Sequence, residues 1–264
     1  MAAQQRTVSV WQGQVPFRVH VAGTGPAVMF LHGPWGLKWR AFLDALAKRF
    51  TVYAPEHPGT TPGAPDAIRH IDSLWDLVLC YDELLDRLEL GEVMLVGHSF
   101  GGMVACEMAA ARPSRIRRMT LIDPIGLWRD DAPVVNWMLL SAQDLPRYVF
   151  RDVNSAAAKS LFEIPDDPED GALARTNLTW AMGSTGKFIW PIPDKGLRKR
   201  IHRVLAPTLL VWGSEDRLVP FAYAEEFSRR LPQTRTEVVK DAGHAPHMEH
   251  PESVAALVEA FFIA

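Results

Sequence analysis

The sequence predicts an α/β fold, built on a mostly parallel central sheet with helices on both faces. Strand-like and helix-like segments alternate along most of the chain, which is typical of parallel strands joined by helical crossovers. The strand-like runs are short and apolar and end in Gly, Pro, Asp or Ser, as expected of strands buried on both faces. They cover residues 27–31, 51–54, 93–96, 119–122 and 208–212, with helical stretches near 37–49, 71–90, 100–112, 219–231 and 251–262.

The beginning of the chain has a different pattern. Residues 8–11 and 17–21 are strand-like and flank the turn Gln12-Gly13-Gln14. Two such runs joined by a short glycine-containing turn predict an antiparallel hairpin, which we place at an edge of the sheet.

The second departure is residues 127–203, which are rich in tryptophan and proline and contain no convincing buried strand. Amphipathic helical patterns occur at 134–150 and 172–182. We therefore predict a helical cap, or lid, at 127–203, inserted into a core formed by 1–126 and 204–264. Within it, the Pro, Asp and Gly residues of 164–171 predict an exposed loop.

Composition narrows the classes of function. The chain has 264 residues, 48% of them hydrophobic, which suits one globular catalytic domain with an insertion. A formal net charge of -3 leaves no basic field for nucleic acid. The first residues lack the layout of a secretory signal, and no apolar run reaches the roughly 18 residues of a membrane span. We expect a cytoplasmic protein with a small-molecule substrate, no nucleic-acid partner and no membrane association, and leave the oligomeric state open.

Two further groups of residues are interpreted as structural. Cys80 and Cys106 fall in helix-like segments, so we expect free, packed thiols rather than a disulfide framework. The basic run 195–203 is interpreted as a solvated helix that returns to the sheet rather than as an anion site.

The strongest motif is Gly97-His98-Ser99-Phe100-Gly101, which follows one apolar strand and precedes a helical run. This is G-x-S-x-G in its strand–turn–helix context, where the tight turn strains the backbone and exposes the serine hydroxyl. The start of the following helix would stabilise negative charge on an attacked carbonyl oxygen. We therefore predict Ser99 as a nucleophile.

A serine nucleophile needs a base, and a histidine base needs a carboxylate to orient it. His244 lies in a loop between the strand-like residues 236–239 and the last helix. This loop is predicted at the same edge of the sheet as Ser99. Asp216 follows the strand 208–212 directly, and we favour it as the acid, with Asp123 and Glu215 as rivals.

The residues His244, His247 and His250 form an evenly spaced string that is also typical of metal ligands. Pro246 and Pro251 argue against the regular helix that would align the three side chains. We predict no metal and no cofactor, with His247 and His250 at the surface or behind the site.

With these residues placed, the chain resembles the α/β-hydrolase superfamily over essentially its whole length. The resemblance rests on Leu31-His32-Gly33, Ala54-Pro55-Glu56-His57-Pro58-Gly59, the Ser99 motif, Gly213-Ser214-Glu215-Asp216 and Gly243-His244. It is strongest to compact, mostly bacterial esterase-like members with an inserted helical cap. It implies the α/β-hydrolase fold, the order Ser, Asp, His in the chain, and ester hydrolysis as the usual activity. Members that use haloalkane or epoxide chemistry carry aspartate where this chain has Ser99.

Two departures from the family pattern stand out. The residue after His32-Gly33 normally gives its N–H to the oxyanion, but here it is Pro34, which has none. Trp35 or Gly36 is expected to take its place, or the hole relies on the Phe100 N–H with a side chain such as His32. The second departure is Glu56 before the Pro-Gly turn, where the family tends to have Asp.

These residues predict a carboxylic-ester hydrolase that works through an acyl-enzyme on Ser99. The alternatives are a carbon–carbon, amide, thioester or lactone bond cleaved at the same triad, and a ligand-binding relative of negligible turnover. The cap aromatics could line an apolar pocket for a hydrophobic or aromatic acyl group, or could simply pack the cap. The candidates are Trp128, Trp137, Trp180 and Trp190, with Phe150, Phe162 and Phe188.

Overall fold

The computed structural model describes residues 3–264, and the eight strands found among them form one sheet. The strands are β1 (Gln4–Val10), β2 (Val15–Ala22), β3 (Ala27–Leu31), β4 (Thr51–Pro55), β5 (Val93–His98), β6 (Ile116–Ile122), β7 (Thr208–Gly213) and β8 (Thr234–Val239). Their order across the sheet is β1-β2-β4-β3-β5-β6-β7-β8. β2 pairs antiparallel with both β1 and β4, and the other neighbours are parallel. The predicted edge hairpin and the mostly parallel sheet are confirmed.

Ten α-helices connect or flank these strands within the described part of the chain. They are α1 (Ala41–Leu46), α2 (Leu74–Arg87), α3 (Phe100–Ala111), α4 (Leu145–Val149), α5 (Ala156–Phe162), α6 (Pro168–Gly186), α7 (Leu197–Arg200), α8 (Ala222–Arg230), α9 (Pro246–Glu249) and α10 (Pro251–Ile263). No helix among residues 3–264 combines the length and the apolar character that crossing a membrane requires.

The sheet is covered by apolar side chains on both faces, which explains why its central strands are hydrophobic throughout. Along β3, Val28 and Phe30 join one apolar cluster, while Met29 and Leu31 join the other, as the two-residue period of a strand requires. The first cluster includes the buried faces of α1 and α10. The second includes α2, α3, α8 and much of segment 127–203.

Segment 127–203 connects β6 to β7 and contains α4 to α7 together with short 3₁₀ turns. The pattern at 134–150 does not form one helix, because only a 3₁₀ turn at Trp137–Leu139 and α4 are helical there. The basic run 195–203 forms α7 and a following 3₁₀ turn, and Arg200 pairs with the buried Glu107 of α3 at 2.7 Å. The division into a core and a cap stays a prediction.

The predicted exposed loop at 164–171 is wrong in its second half, because α6 already begins at Pro168. Asp167 is the N-cap residue, and its side chain accepts hydrogen bonds from Glu169 N–H and Asp170 N–H. Proline at the first helical position and acidic residues in the first turn both favour a helix start. The composition that suggested a turn is therefore the start signal of a 19-residue helix.

The prediction of free, packed thiols is confirmed. Cys80 of α2 and Cys106 of α3 are both buried and unpaired. Burial raises the pKa of the Cys80 thiol to about 12 and raises that of Cys106 as well. Both side chains therefore stay protonated and unreactive near neutral pH.

Candidate active site

Ser99 occupies the turn between β5 and α3, at the carboxyl edge of the parallel strands. Its φ of +52° and ψ of -113° lie in a region that residues with side chains rarely adopt. Hydrogen bonds fix this conformation: Ser99 N–H donates to the Ile122 carbonyl at 2.9 Å, and the Ser99 carbonyl accepts from Gly102 N–H at 3.0 Å. The structure thus places Ser99 in the strand–turn–helix context that the G-x-S-x-G motif predicts.

The motif's two glycines are required by the close approach of strand and helix. A Cβ atom on Gly97 would lie 2.5 Å from the Gly101 carbonyl oxygen, and one on Gly101 would lie 2.0 Å from that of Leu31. Both distances are far below van der Waals contact, so a side chain at either position would force the turn apart.

The three residues predicted as a triad meet at this edge. His244, after β8, lies with Nε2 2.8 Å from Ser99 Oγ, and its Nδ1 lies 2.8 Å from Oδ2 of Asp216, after β7. Because a carboxylate only accepts hydrogen bonds, Nδ1 carries the proton of the neutral ring and Nε2 accepts from the serine hydroxyl. This is the arrangement that lets a histidine take up a serine proton.

The Asp216 carboxylate is held by its own turn. Its Oδ1 accepts hydrogen bonds from Leu218 N–H at 2.8 Å and Val219 N–H at 2.9 Å, which leaves Oδ2 directed to the His244 ring. An aspartate that bonds the backbone two residues on is a common turn device. Here the turn sets the direction of the carboxylate.

The loop that carries His244 is fixed from two sides. His98 Nε2–H donates to the His244 carbonyl at 2.8 Å, and Gly243 N–H donates to Glu249 Oε2 at 2.6 Å. Glu249 also accepts from the backbone N–H of Arg151 and so ties segment 127–203 to this loop. Sequence reasoning missed His98 and Glu249, although both lie inside the motifs that it singled out.

The two rival carboxylates lie in different environments. Glu215 is partly exposed and pairs with Arg151 at 2.6 Å, away from the His244 ring. Asp123, at the end of β6, is fully buried, and its Oδ1 accepts from Gly213 N–H at 3.0 Å. Its carboxyl lies beside Asp216, so the structure brings the two aspartates together at one histidine.

The turn after β3 contains the proline that interrupts the family pattern. Pro34 and Trp35 form a turn, and Gly36 follows it with a φ of +86°. The Trp35 ring packs edge-on against the His244 ring, with centroids 6.4 Å apart. Phe100 is the first residue of α3, so its N–H has no carbonyl acceptor within the helix. The structure therefore keeps both Trp35 and Phe100 next to the site.

His32 is engaged by the backbone through both ring nitrogens. Nε2 accepts from His57 N–H at 3.0 Å, so Nδ1 carries the proton and donates to the Gly33 carbonyl at 2.7 Å. His57 in turn bonds the His32 carbonyl and the Tyr81 hydroxyl. His32 therefore supports the turn, and no ring N–H remains for a substrate.

Four histidines around the site are buried and neutral. Burial lowers the pKa of His57 to about 4 and that of His247 to about 3, and it also takes those of His32 and His98 well below 6.5.

His247 packs among Phe30, Phe42 and the His98 ring, while His250 bonds the Asp241 carbonyl. Helix α9 ends before His250 and α10 begins after it, as the two prolines predict.

The aromatic residues of segment 127–203 divide into two groups. Trp137 and Phe162 are packed against Trp35 and so lie near His244, Phe150 packs on Phe162, and Phe188 stacks on Phe100. Trp180 and Trp190 are 43% and 48% exposed, and Trp128 bonds Asp130 at the surface. Only the first group adjoins the triad. The sequence could not separate the two groups, because its pattern does not reveal which side of a short helix faces the sheet.

Ser99 and His244 have no solvent-exposed surface. A groove of about 380 Å³ lies on the other side of Trp35, between α5, α6 and the turns after β3 and β4. Its lining combines apolar Leu173, Leu178 and Ala181 with the charged Lys38 and Glu56, and does not include Ser99. Trp35 thus separates an open groove from the buried triad.

Comparison with known proteins identifies the family. The sequence profile of the alpha/beta hydrolase family matches residues 28–257, which is most of the chain. This chain belongs to that family. The resemblance predicted from the motifs, the α/β-hydrolase fold and the assignment as a hydrolase are therefore confirmed.

This hydrolase has curated relatives of similar length. It is 29% identical over 251 residues to a pimeloyl-[acyl-carrier protein] methyl ester esterase of Aromatoleum aromaticum, covering 89% of this chain and 97% of the relative. It is 28% identical over 258 residues to the sn-1-specific diacylglycerol lipase ABHD11 of Mus musculus, covering 90% and 81%. The crystal structure of naproxen esterase from Bacillus subtilis superimposes with a TM-score of 0.78 at 18% identity, covering 98% and 91%, and shows the shared fold.

Proposed function

We propose that this hydrolase cleaves carboxylic esters through an acyl-enzyme on Ser99, with His244 as general base and acid and Asp216 as the orienting carboxylate. The observation that carries the proposal is the unbroken chain of hydrogen bonds from Asp216 Oδ2 through His244 to Ser99 Oγ, each 2.8 Å long. The relatives named as esterases and lipases support an ester as the substrate.

In the acylation step, Ser99 Oγ attacks the ester carbonyl carbon while its proton passes to His244 Nε2. The carbonyl oxygen becomes an oxyanion, and in this proposal the Phe100 N–H at the start of α3 stabilises it. Trp35 N–H is the second donor in this proposal, in place of the N–H that Pro34 lacks. When the intermediate collapses, the alcohol leaves with the proton from His244.

Deacylation repeats the sequence with water. His244 Nε2 takes a proton from water as its oxygen attacks the acyl carbon, and the collapse returns that proton to Ser99 Oγ and releases the carboxylic acid. The Asp216 carboxylate holds the ring in the required tautomer and stabilises the imidazolium in both halves.

The aromatic surroundings of the triad support an apolar or aromatic acyl group. Trp35, Trp137 and Phe162 pack together on the side of the His244 ring, and Phe188 stacks on Phe100. Rings of this size provide large apolar contact surfaces, which suit a flat or branched hydrophobic group.

The test combines labelling with turnover. Wild type should react irreversibly with a fluorophosphonate at Ser99 and release p-nitrophenol from short esters over many turnovers. Ser99→Ala should lose labelling, and its kcat should be lower by about 10⁴ or more. Its melting temperature should be unchanged or slightly higher, because the substitution removes no contact that the fold needs.

The matched control is Ser114→Ala, which changes an exposed serine in the 3₁₀ turn that follows α3. It should retain both labelling and turnover. Full turnover by pure Ser99→Ala would contradict the nucleophile assignment, and labelling without turnover on any ester would contradict ester hydrolysis.

A further inference from the structure

The edge of the sheet that carries Ser99, Asp216 and His244 also holds a carboxyl group that the proposed chemistry does not use. Asp123 ends β6 with a φ of +42°, and its side chain has no exposed surface. One carboxylate oxygen of Asp123, one of Asp216 and one ring nitrogen of His244 all lie within 4.8 Å of one another. Two carboxyl groups therefore face one histidine in a space closed to solvent.

The hydrogen-bond partners of Asp123 are incomplete if it is a carboxylate. Oδ1 accepts from Gly213 N–H at 3.0 Å, but Oδ2 is buried and has no donor among residues 3–264. A buried anionic oxygen without a donor is costly, and a proton on that oxygen removes the cost by turning it into a donor.

Asp216 offers the matching acceptor. A carboxylate has about four lone-pair sites, and here three are used by Leu218 N–H, Val219 N–H and His244 Nδ1–H. The site that remains is the one that a neighbouring O–H can fill. The unused donor capacity of Asp123 and the unused acceptor site of Asp216 thus occur side by side.

We propose that Asp123 is a neutral carboxylic acid that donates a hydrogen bond to Asp216 and so acts as a positioning residue for His244. This inference rests on the proposed function, because it assigns a role within the same triad. It also implies that Asp123 is a reserve acid, which takes a charge when the charge of Asp216 is removed.

The charged surroundings agree with this assignment. Burial and then the negative charge of Asp216 raise the pKa of Asp123 well above its ordinary value, while the Gly213 N–H lowers it. The other titratable groups that face this pair are His244, His98, His247 and Glu249. Burial lowers the pKa values of His98 and His247, so these two rings carry no compensating positive charge, and Glu249 is acidic. Arg151 lies farther out and is paired with Glu215 and Asp241.

The first test is the pH dependence of kcat/KM for an ester in Asp123→Asn. The amide keeps an oxygen for Gly213 N–H and an N–H for Asp216, but it is a weaker donor, so kcat should fall by about twofold to fivefold. Because a neutral group replaces a neutral group, the acidic midpoint of the profile should move by less than about 0.3 pH unit. An ionised Asp123 would instead give a fall of about one pH unit or more, since a negative charge near His244 would be lost.

The second test removes the donor. Asp123→Leu should lower kcat by about tenfold or more with little change in KM, and the ordering wild type, Asn, Leu identifies the hydrogen bond as the cause. If the leucine variant does not fold, the asparagine profile still decides. Equal kcat values for the two variants would overturn the positioning role.

The third test addresses the reserve acid. Asp216→Asn should keep a residual activity that rises with pH as Asp123 ionises, and the double variant with Asp123→Asn should be about tenfold less active again. Equal activity of the single and double variants would overturn this part. In each case, fluorophosphonate labelling of Ser99 in wild type separates a failure here from a failure of the proposed ester chemistry.

Discussion

His244 Nε2 lies 2.8 Å from Ser99 Oγ, although 145 residues separate the two in the chain. The contact exists because β5 and β8 belong to the parallel part of the sheet, whose strands all end at the same edge. The same geometry brings Asp216 and Asp123 to this edge, from the ends of β7 and β6.

Gly101→Ala should destabilise the protein severely, by about 3 kcal/mol or more, because the new Cβ would lie 2.0 Å from the Leu31 carbonyl oxygen. The matched control is Gly183→Ala inside α6, where nothing lies within 4 Å of the new atom. That change should stabilise by about 0.5–1 kcal/mol through helix propensity. Urea unfolding of both variants measures the difference, and equal stabilities would show that the elbow tolerates a side chain.

Stability should fall as the pH falls from 7 to 5, because four histidines with lowered pKa values outweigh the buried carboxyl of Asp123, whose raised pKa acts in the opposite direction. His32, His57, His98 and His247 have lowered pKa values in the fold, so below 6.5 the unfolded chain binds protons that the folded chain does not. Each contributes a loss of about 1.4 kcal/mol per pH unit, which for His57 ends near pH 4 and for His247 near pH 3.

His247→Phe tests this account, since the ring packs between Phe30 and Phe42 and a phenyl group suits that site. The slope of unfolding free energy against pH should decrease by about 1.4 kcal/mol per unit. His202→Gln, at an exposed position, is the control and should leave the slope as it is. An unchanged slope in His247→Phe would mean that this ring is already protonated in the fold.

Pro34→Gly should lower kcat by at least about threefold and stability by about 0.4–1 kcal/mol, because proline fixes the turn that presents Trp35 to the site. Pro133→Gly, at an exposed position in segment 127–203, should lose similar stability but keep its kcat. A higher kcat in Pro34→Gly would indicate that a new N–H at position 34 binds the oxyanion, and that Trp35 is not the second donor.

Trp137→Leu should reduce kcat/KM for aromatic acyl esters by about tenfold and for acetyl esters by much less, because Trp137 is buried against Trp35 beside His244. Trp75→Leu, which changes an exposed tryptophan of α2, should leave the ratio of the two substrates unchanged. If kcat/KM falls equally for both esters, Trp137 serves the folding of the segment and does not select the acyl group.

The sequence was most informative where chemistry is local. A G-x-S-x-G turn needs two glycines and a serine within five residues, so the place of Ser99 between β5 and α3 could be predicted from the motif alone. That Asp216 and His244 lie near Ser99 could be predicted because each lies in the loop after a parallel strand, and these loops share one edge of the sheet. The start of α6 was missed because aspartate and proline serve turns and helix N-termini alike.

Contacts between segments that are distant in the sequence could not be predicted in the same way. The sequence offered four tryptophans of segment 127–203 as equals, yet Trp137 is buried while Trp180 and Trp190 are exposed. It also presented Asp123 and Asp216 as alternatives for one role, while the structure places them side by side. Both outcomes depend on contacts between distant segments, which a periodic pattern along one segment does not encode.

The absence of exposed surface on Ser99 and His244 has a kinetic consequence. A substrate therefore reaches the hydroxyl only after a rearrangement that exposes it. The observed association rate is then the diffusional rate multiplied by the fraction of molecules that are open, and the apparent affinity is reduced by the same fraction. Inactivation by small and by bulky phosphonates of equal intrinsic reactivity should therefore differ in rate, and the ratio would report how far and how often the site opens.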